Sequence, residues 1–177
     1  MKQTLAKIGV PRPTGAQKPG KILALDYGRA RIGLALADSE ARIAAPHDTL
    51  ERVNRNEDMR RLRELVREHH IQLIVVGLPL RLDGTHGDMA EETTRFANRL
   101  RKQIGVSVVM MDERLTSWEA ERILEEELGR RITHETTHDG KRKHLRNAQG
   151  KYTVDAIAAT VILREYLSRE GGTEVPA

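Results

Sequence analysis

Ile22-Leu-Ala-Leu-Asp26-Tyr-Gly28-Arg-Ala-Arg31-Ile-Gly33-Leu-Ala-Leu-Ala-Asp38 climbs through an apolar run to one carboxylate, turns at Gly28 and descends through a second apolar run to another. Apolar runs of this length, bounded by glycine and charged residues, suit neighbouring strands of one sheet. The turn sets Asp26 where the first strand stops, with Arg29 and Arg31 close by. A carboxylate so placed can hold a metal ion or pair with basic groups. Equally, an aspartate at a hairpin end can do no more than support the turn. The surrounding chain has to decide between the two.

Working outward, strands are expected at about 21–26 and 31–37, and a third near 41–46 that Pro46 ends. From Asn54 to about His70 the apolar spacing turns helical, with Met59, Leu62, Leu65 and Val66 recurring at three and four residues. Glu64 and Glu68 among Arg60, Arg61, Arg63 and Arg67 read as a solvated, ion-paired face. Leu73-Ile-Val-Val76 is a buried β-branched strand running into Gly77-Leu-Pro79, and 82–87 is a loop rich in turn residues. A helix over about 88–103 and a strand over 106–111 follow, the strand stopping at Asp112-Glu113-Arg114. Thr116 or Ser117 caps a further helix striped by Ala120, Ile123, Leu124 and Leu128. Residues 129–152 lose all periodicity and are basic, and a last helix starts near Thr153. Antiparallel hairpins followed by strand–helix alternation predict an α/β fold, one mixed sheet with helices on its faces. Residues 1–20 read as a flexible basic tail, 21–170 as a single domain carrying the basic loop, and 171–177 as a second tail.

Composition narrows the function. The 177 residues suit one domain. One Trp, one Phe and three Tyr argue against a platform of stacked aromatics for single strands. The absence of cysteine removes disulfides, thiol nucleophiles and thiolate zinc sites. No apolar stretch approaches membrane-spanning length and the N-terminus lacks a signal-peptide core, so a cytoplasmic protein with no membrane partner is expected. A net charge of +4 is compatible with a nucleic-acid partner. The seven histidines match no helical zinc motif.

Three carboxylates occupy similar settings. Asp26 ends the first strand, Glu113 ends the last, and Asp155 falls in the first turn of the final helix, where the helix dipole favours its ionised form. A right-handed crossover can bring the two strand ends together. Hard oxygen donors without cysteine select Mg2+ or Mn2+ over zinc. Such a cluster suits phosphodiester hydrolysis with two ions, the acids holding the metals and nearby Lys or Arg steadying the phosphate. The simpler alternative makes each acid a cap or a surface ion-pair partner. Arg29 and Arg31 flank the turn and can contact phosphates, or instead share one solvated strand face. Arg114 either binds the backbone or pairs with Asp112. Lys141, Arg142, Lys143, Arg146 and Lys151 make the 129–152 segment the expected substrate-binding flap.

Four ordered motifs sharpen this. Leu25-Asp26-Tyr27-Gly28-Arg-Ala-Arg31-Ile32-Gly33, Val75-Val76-Gly77-Leu78-Pro79 with Asp83-Gly84-Thr85, Asp112-Glu113-Arg114-Leu115-Thr116, and Asp155-Ala156-Ile-Ala158-Ala159 with Ile162-Leu163 together resemble the YqgF family, described as Holliday-junction resolvases and as pre-16S rRNA nucleases. The resemblance spans about residues 21–168. It implies a ribonuclease-H-like sheet of order 3-2-1-4-5, with Asp26, Glu113 and Asp155 as catalytic, metal-binding acids and the 77–87 loop beside them. The tail and the long basic link before Asp155 depart from the family pattern. The expected activity is metal-dependent cleavage of structured nucleic acid, branched DNA or precursor rRNA, and an isologous homodimer would let two sites cut paired strands. The alternative is a non-catalytic nucleic-acid-binding or ribosome-assembly factor on the same fold. More remotely, Asp26-Tyr-Gly28 also resembles the phosphate loop of actin-like phosphotransferases, which close two such domains around a nucleotide.

Overall fold

The computed structural model describes residues 20–115 and 152–170. The opening hairpin forms as β1 (Lys21–Tyr27) and β2 (Arg31–Asp38), antiparallel, with Asp26 opposite Gly33. The Gly28 amide donates to the Arg31 carbonyl at 2.8 Å and closes the turn.

The third strand departs from expectation. β3 spans Ala44–Glu51 and carries Pro46 inside it. Proline offers no ladder N–H and is tolerated on a sheet edge or at a bulge, and both conditions hold. β3 is the edge strand, and its register against β2 shifts between Leu34 and Ala35, the latter facing Pro46.

Helix α1 (Arg55–Glu68) starts where Asn54 accepts hydrogen bonds from the amides of Asn56 and Glu57, both at 3.0 Å, satisfying two orphan donors of the first turn. Its inner face is Met59, Leu62 and Val66. Its solvent face is ion-paired as expected, although Glu57 is the main partner, taking both Arg60 and Arg61. β4 (Ile71–Leu78), α2 (Asp88–Gln103) and β5 (Ser107–Asp112) complete the crossover units. A 3₁₀ turn at Glu113–Leu115 follows, and the last described helix, α3, spans Val154–Glu170.

The sheet order is β3-β2-β1-β4-β5, with β1, β4 and β5 parallel. Strand alternation sorts side chains between two cores. Leu23, Leu25, Ile74 and Val76 pack with Met59, Leu62, Phe96 and Leu100 under α1 and α2. Ile22, Ala24, Val75 and Met111 pack with Ala159, Ile162 and Leu163 under α3. That parity places Asp26 on the α3 face and Tyr27 on the other.

The expected helix striped by Ala120 to Leu128, the basic residues Lys141, Arg142, Lys143, Arg146 and Lys151, and nearly all of both tails lie outside the described residues.

Candidate active site

Asp26, Glu113 and Asp155 come to one end of the sheet, on the face covered by α3. Asp26 leaves β1 at its carboxyl end, and Glu113 is the first residue past β5. Asp155 is the second residue of α3, a helix whose start is fixed by Thr153: its hydroxyl accepts the Ala156 amide at 3.2 Å and meets the hydroxyl of Thr49 on β3. The carboxyl ends of parallel strands in an open α/β sheet are where ligands are ordinarily taken.

Two glycines permit the approach. Gly33, opposite Asp26, lies so close to the Asp155 carbonyl that a β-carbon would overlap it. A β-carbon on Gly77 of β4 would collide with the Glu113 carboxylate and the tip of Ile162. Small residues at these two points let α3 and the β5 end close on the strand that carries Asp26.

The electrostatics put Asp26 in the middle. Burial, and then the negative charge of Asp155, raise its pKa from 3.8 to about 6. Glu113 is raised from 4.5 to about 7, by burial first and then by Asp26 and Asp112. Asp26 therefore senses one neighbour on each side. Arg31, on β2 and on the same face, donates from Nε to Asp155 Oδ2 at 2.9 Å across a partly buried pair. Among the described residues no three His, Asp or Glu side chains converge tightly enough to ligate a single ion.

The other arginines go elsewhere. Arg29 and Arg31 do not share a face: Arg29 reaches Glu92 of α2 at 2.9 Å, on the opposite side of the sheet. Arg114 forks onto Asp112, with contacts of 2.7 Å and 3.1 Å, and reaches the Leu82 carbonyl at 3.2 Å. It thereby ties the 81–85 loop to the end of β5. That loop is ordered locally by Asp83, which accepts the amide and hydroxyl of Thr85 at 2.9 Å and 2.7 Å.

Several participants were not visible as such in the sequence. The tight approaches at Gly33 and Gly77 have a detectable signal only in part, since counting back from the Gly28 turn sets Gly33 opposite Asp26. Arg52 carried no signal. It donates to Asp58 at 2.9 Å, to the Tyr27 hydroxyl at 2.8 Å and to the Gly28 carbonyl at 3.1 Å, fastening the turn after Asp26 to the start of α1.

A mixed five-stranded sheet of this order, with helices on both faces and a carboxylate at the end of its first strand, defines the ribonuclease-H-like class. The solved structure of Thermus thermophilus RuvC in complex with a Holliday junction substrate shares that fold at a TM-score of 0.54 and 14% identity, over 89% of this chain and 99% of that one. The family model described as "RuvX: Holliday junction resolvase" matches residues 20–169. Curated relatives include proteins described as "Putative pre-16S rRNA nuclease". That of Syntrophus aciditrophicus is 36% identical over 89% of this chain and 94% of its own length. That of Chloroflexus aurantiacus is 40% identical over 82% of this chain and 85% of its own. The chain belongs to the RuvX family, a family of nucleases.

Proposed function

We propose that this chain is a divalent-metal-dependent endonuclease acting on structured nucleic acid, either a branched DNA junction or the 5′ end of precursor 16S rRNA, with Asp26, Glu113 and Asp155 as its catalytic and metal-holding acids. The observation that carries the reading is Asp26 itself: a half-buried carboxylate with a second acid on each side, at the ligand-binding end of a nuclease-family sheet. Acids that burial, and then one another's charge, hold protonated up to a pH of about 6 and about 7 are a site short of positive charge.

Carboxylate oxygens with no sulfur donor fit Mg2+ or Mn2+. Such ions, held by Asp26 with Glu113 and with Asp155, would supply an activated water and neutralise the charge that builds on the phosphate. The chain's own residues do the rest. Asp26 and Glu113, whose carboxyl pKa values are raised to about 6 and about 7, would hold such an ion in their ionised forms. Arg31 holds the Asp155 carboxylate in place and leaves α3 free to present it. Arg114 keeps the 81–85 loop against the end of β5, and the basic residues Lys141, Arg142, Lys143, Arg146 and Lys151 are proposed backbone contacts. A cytoplasmic setting fits this reading, as does an isologous homodimer cutting paired strands.

A second reading has its own support. Arg31 already occupies Asp155, and among the described residues no three acids converge on one point. A binding factor that keeps the fold without turnover would look like this. The two are separated by offering a four-way junction, a duplex, single strands and a precursor-rRNA fragment with Mg2+ or Mn2+. Cleavage that disappears in Asp26→Asn supports the nuclease. Binding without cleavage under every ion supports the factor, and full activity in Asp26→Asn overturns the role given to that residue.

A further inference from the structure

One residue past Asp26 the strand alternation turns Tyr27 to the other side of the sheet, and there it borders a second concavity. This cavity, of about 460 Å3, lies between the β1–β2 turn, the start of α1 and the middle of α2. Arg29, Arg52, Arg55, Arg95 and Arg99 line it, against the single carboxylate of Glu92.

The five guanidinium groups are not equivalent. Arg52 is fixed by Asp58 and stacks 4.6 Å from the centre of the Tyr27 ring, which itself packs 4.6 Å from Phe96. Arg29 is held by Glu92 at 2.9 Å, and Arg95 lies 3.6 Å from Glu91. Arg55 and Arg99 meet no carboxylate among the described residues. The lining therefore combines a rigid floor with two uncompensated cations at its rim. Planar guanidinium forks match the oxygens of a phosphate, and a cavity of this size accepts a nucleotide unit.

We infer that this arginine cavity is a second phosphate-binding site, taking a backbone phosphate of the same nucleic acid whose scissile group lies at Asp26. The inference rests on the nucleic-acid reading above. Its geometry comes from the hairpin: Asp26 and Tyr27 are consecutive, so a strand crossing the β1–β2 turn passes from the acidic face to the basic one. The acids Asp26 and Asp155, which would hold the metals and face the scissile phosphate, are on one side of that turn. A phosphate further along is gripped on the other, which holds the strand in register without adding charge to the acidic centre.

The test is binding, not cleavage. Anisotropy of a labelled four-way junction and of a precursor-rRNA fragment is followed against salt, in the Asp26→Asn background. Adding Arg55→Gln and Arg99→Gln should weaken binding and flatten the plot of log K against log salt by about 1.4–1.8, the release expected for two phosphate contacts. Arg63→Gln with Arg67→Gln, which removes equal charge from the outer face of α1, should leave the slope nearly intact. Glu92→Gln should tighten binding, a gain that misfolding cannot produce. An unchanged slope in the Arg55/Arg99 variant, or an equal loss in the Arg63/Arg67 control, overturns the site. So does a nucleoside monophosphate that binds the cavity tightly while strand affinity is untouched by the Arg55/Arg99 change, which would make it a free-nucleotide site. Wild-type cleavage is scored separately. An intact nuclease with an unchanged slope sinks only this inference, and a flattened slope without any cleavage sinks only the nuclease.

Discussion

Gly33 faces the backbone carbonyl of Asp155 so closely that any β-carbon at position 33 would overlap it. The neighbour is helix backbone rather than a flexible side-chain tip, so it cannot swing aside. Gly33→Ala must push the start of α3 away from β2 and carry Asp155 with it. The expected loss of stability is about 1–3 kcal/mol or more, the range for overpacking a filled interior. Urea denaturation measures that. Cleavage assayed at a temperature where both proteins are folded should fall further than the folded fraction explains.

The crowded acids make stability depend on pH in a reversed sense. In the metal-free protein Asp26 and Glu113 titrate at about 6 and about 7, above the 3.8 and 4.5 of the ordinary side chains. The folded chain therefore keeps protons that the unfolded chain has released, and stability falls as pH rises from about 4 to 7. Asp26→Asn removes the charge that burial resists. It should stabilise the metal-free protein at pH 8 by about 1–3 kcal/mol and do nearly nothing at pH 4. Thermal melts with a chelator at the two pH values check both halves. Adding Mg2+ or Mn2+ at pH 8 should raise the wild-type melting temperature and leave the Asn variant almost unmoved.

Arg31 is the cation that accompanies Asp155. Replacing it by Gln takes that cation away from a carboxylate whose charge acts on Asp26. The metal-free variant should lose on the order of 1 kcal/mol at pH 8. The loss should shrink at pH 5, where Asp26 and Glu113 are protonated. A divalent ion should restore most of it, and melting curves with and without Mn2+ read the recovery.

Asp58 is nearly fully buried, and its carboxylate holds Arg52 while accepting the Val53 amide at 3.3 Å. Asp58→Ala leaves the partly exposed Arg52 guanidinium without its carboxylate and the Val53 amide without its side-chain acceptor, a change expected to cost about 1–3 kcal/mol. It also unfastens Arg52, and with it the turn that follows Asp26, from the start of α1, so cleavage should decline even in the fraction that remains folded. Chemical denaturation and single-turnover cleavage separate the two effects.

How much of this could be read in the sequence differs by element. The unbroken apolar run from Ile22 to Leu25 announces a strand covered on both faces, and the period of two along a strand then sends Asp26 and Tyr27 to opposite sides. The stripe of Met59, Leu62 and Val66 announces α1 for the same kind of reason. Pro46 misled because its effect depends on position in the sheet: it would end an inner strand, yet it is accommodated on an edge beside a register shift. Arg29 and Arg31 were equivalent as letters. Only the turn geometry sends one to Glu92 and the other to Asp155.

The hydrophobic periods and the four ordered motifs, local features of the chain, determined the hairpin, the α/β class and the three candidate acids. The tertiary structure alone decided what those acids meet. The Arg31–Asp155 pair joins residues 124 positions apart, and the Gly33 and Gly77 approaches likewise join distant segments. Such contacts depend on how β2, β4, the end of β5 and α3 come together. Local propensity carries no information about the partner across that distance, because the partner exists only once the sheet has closed around it.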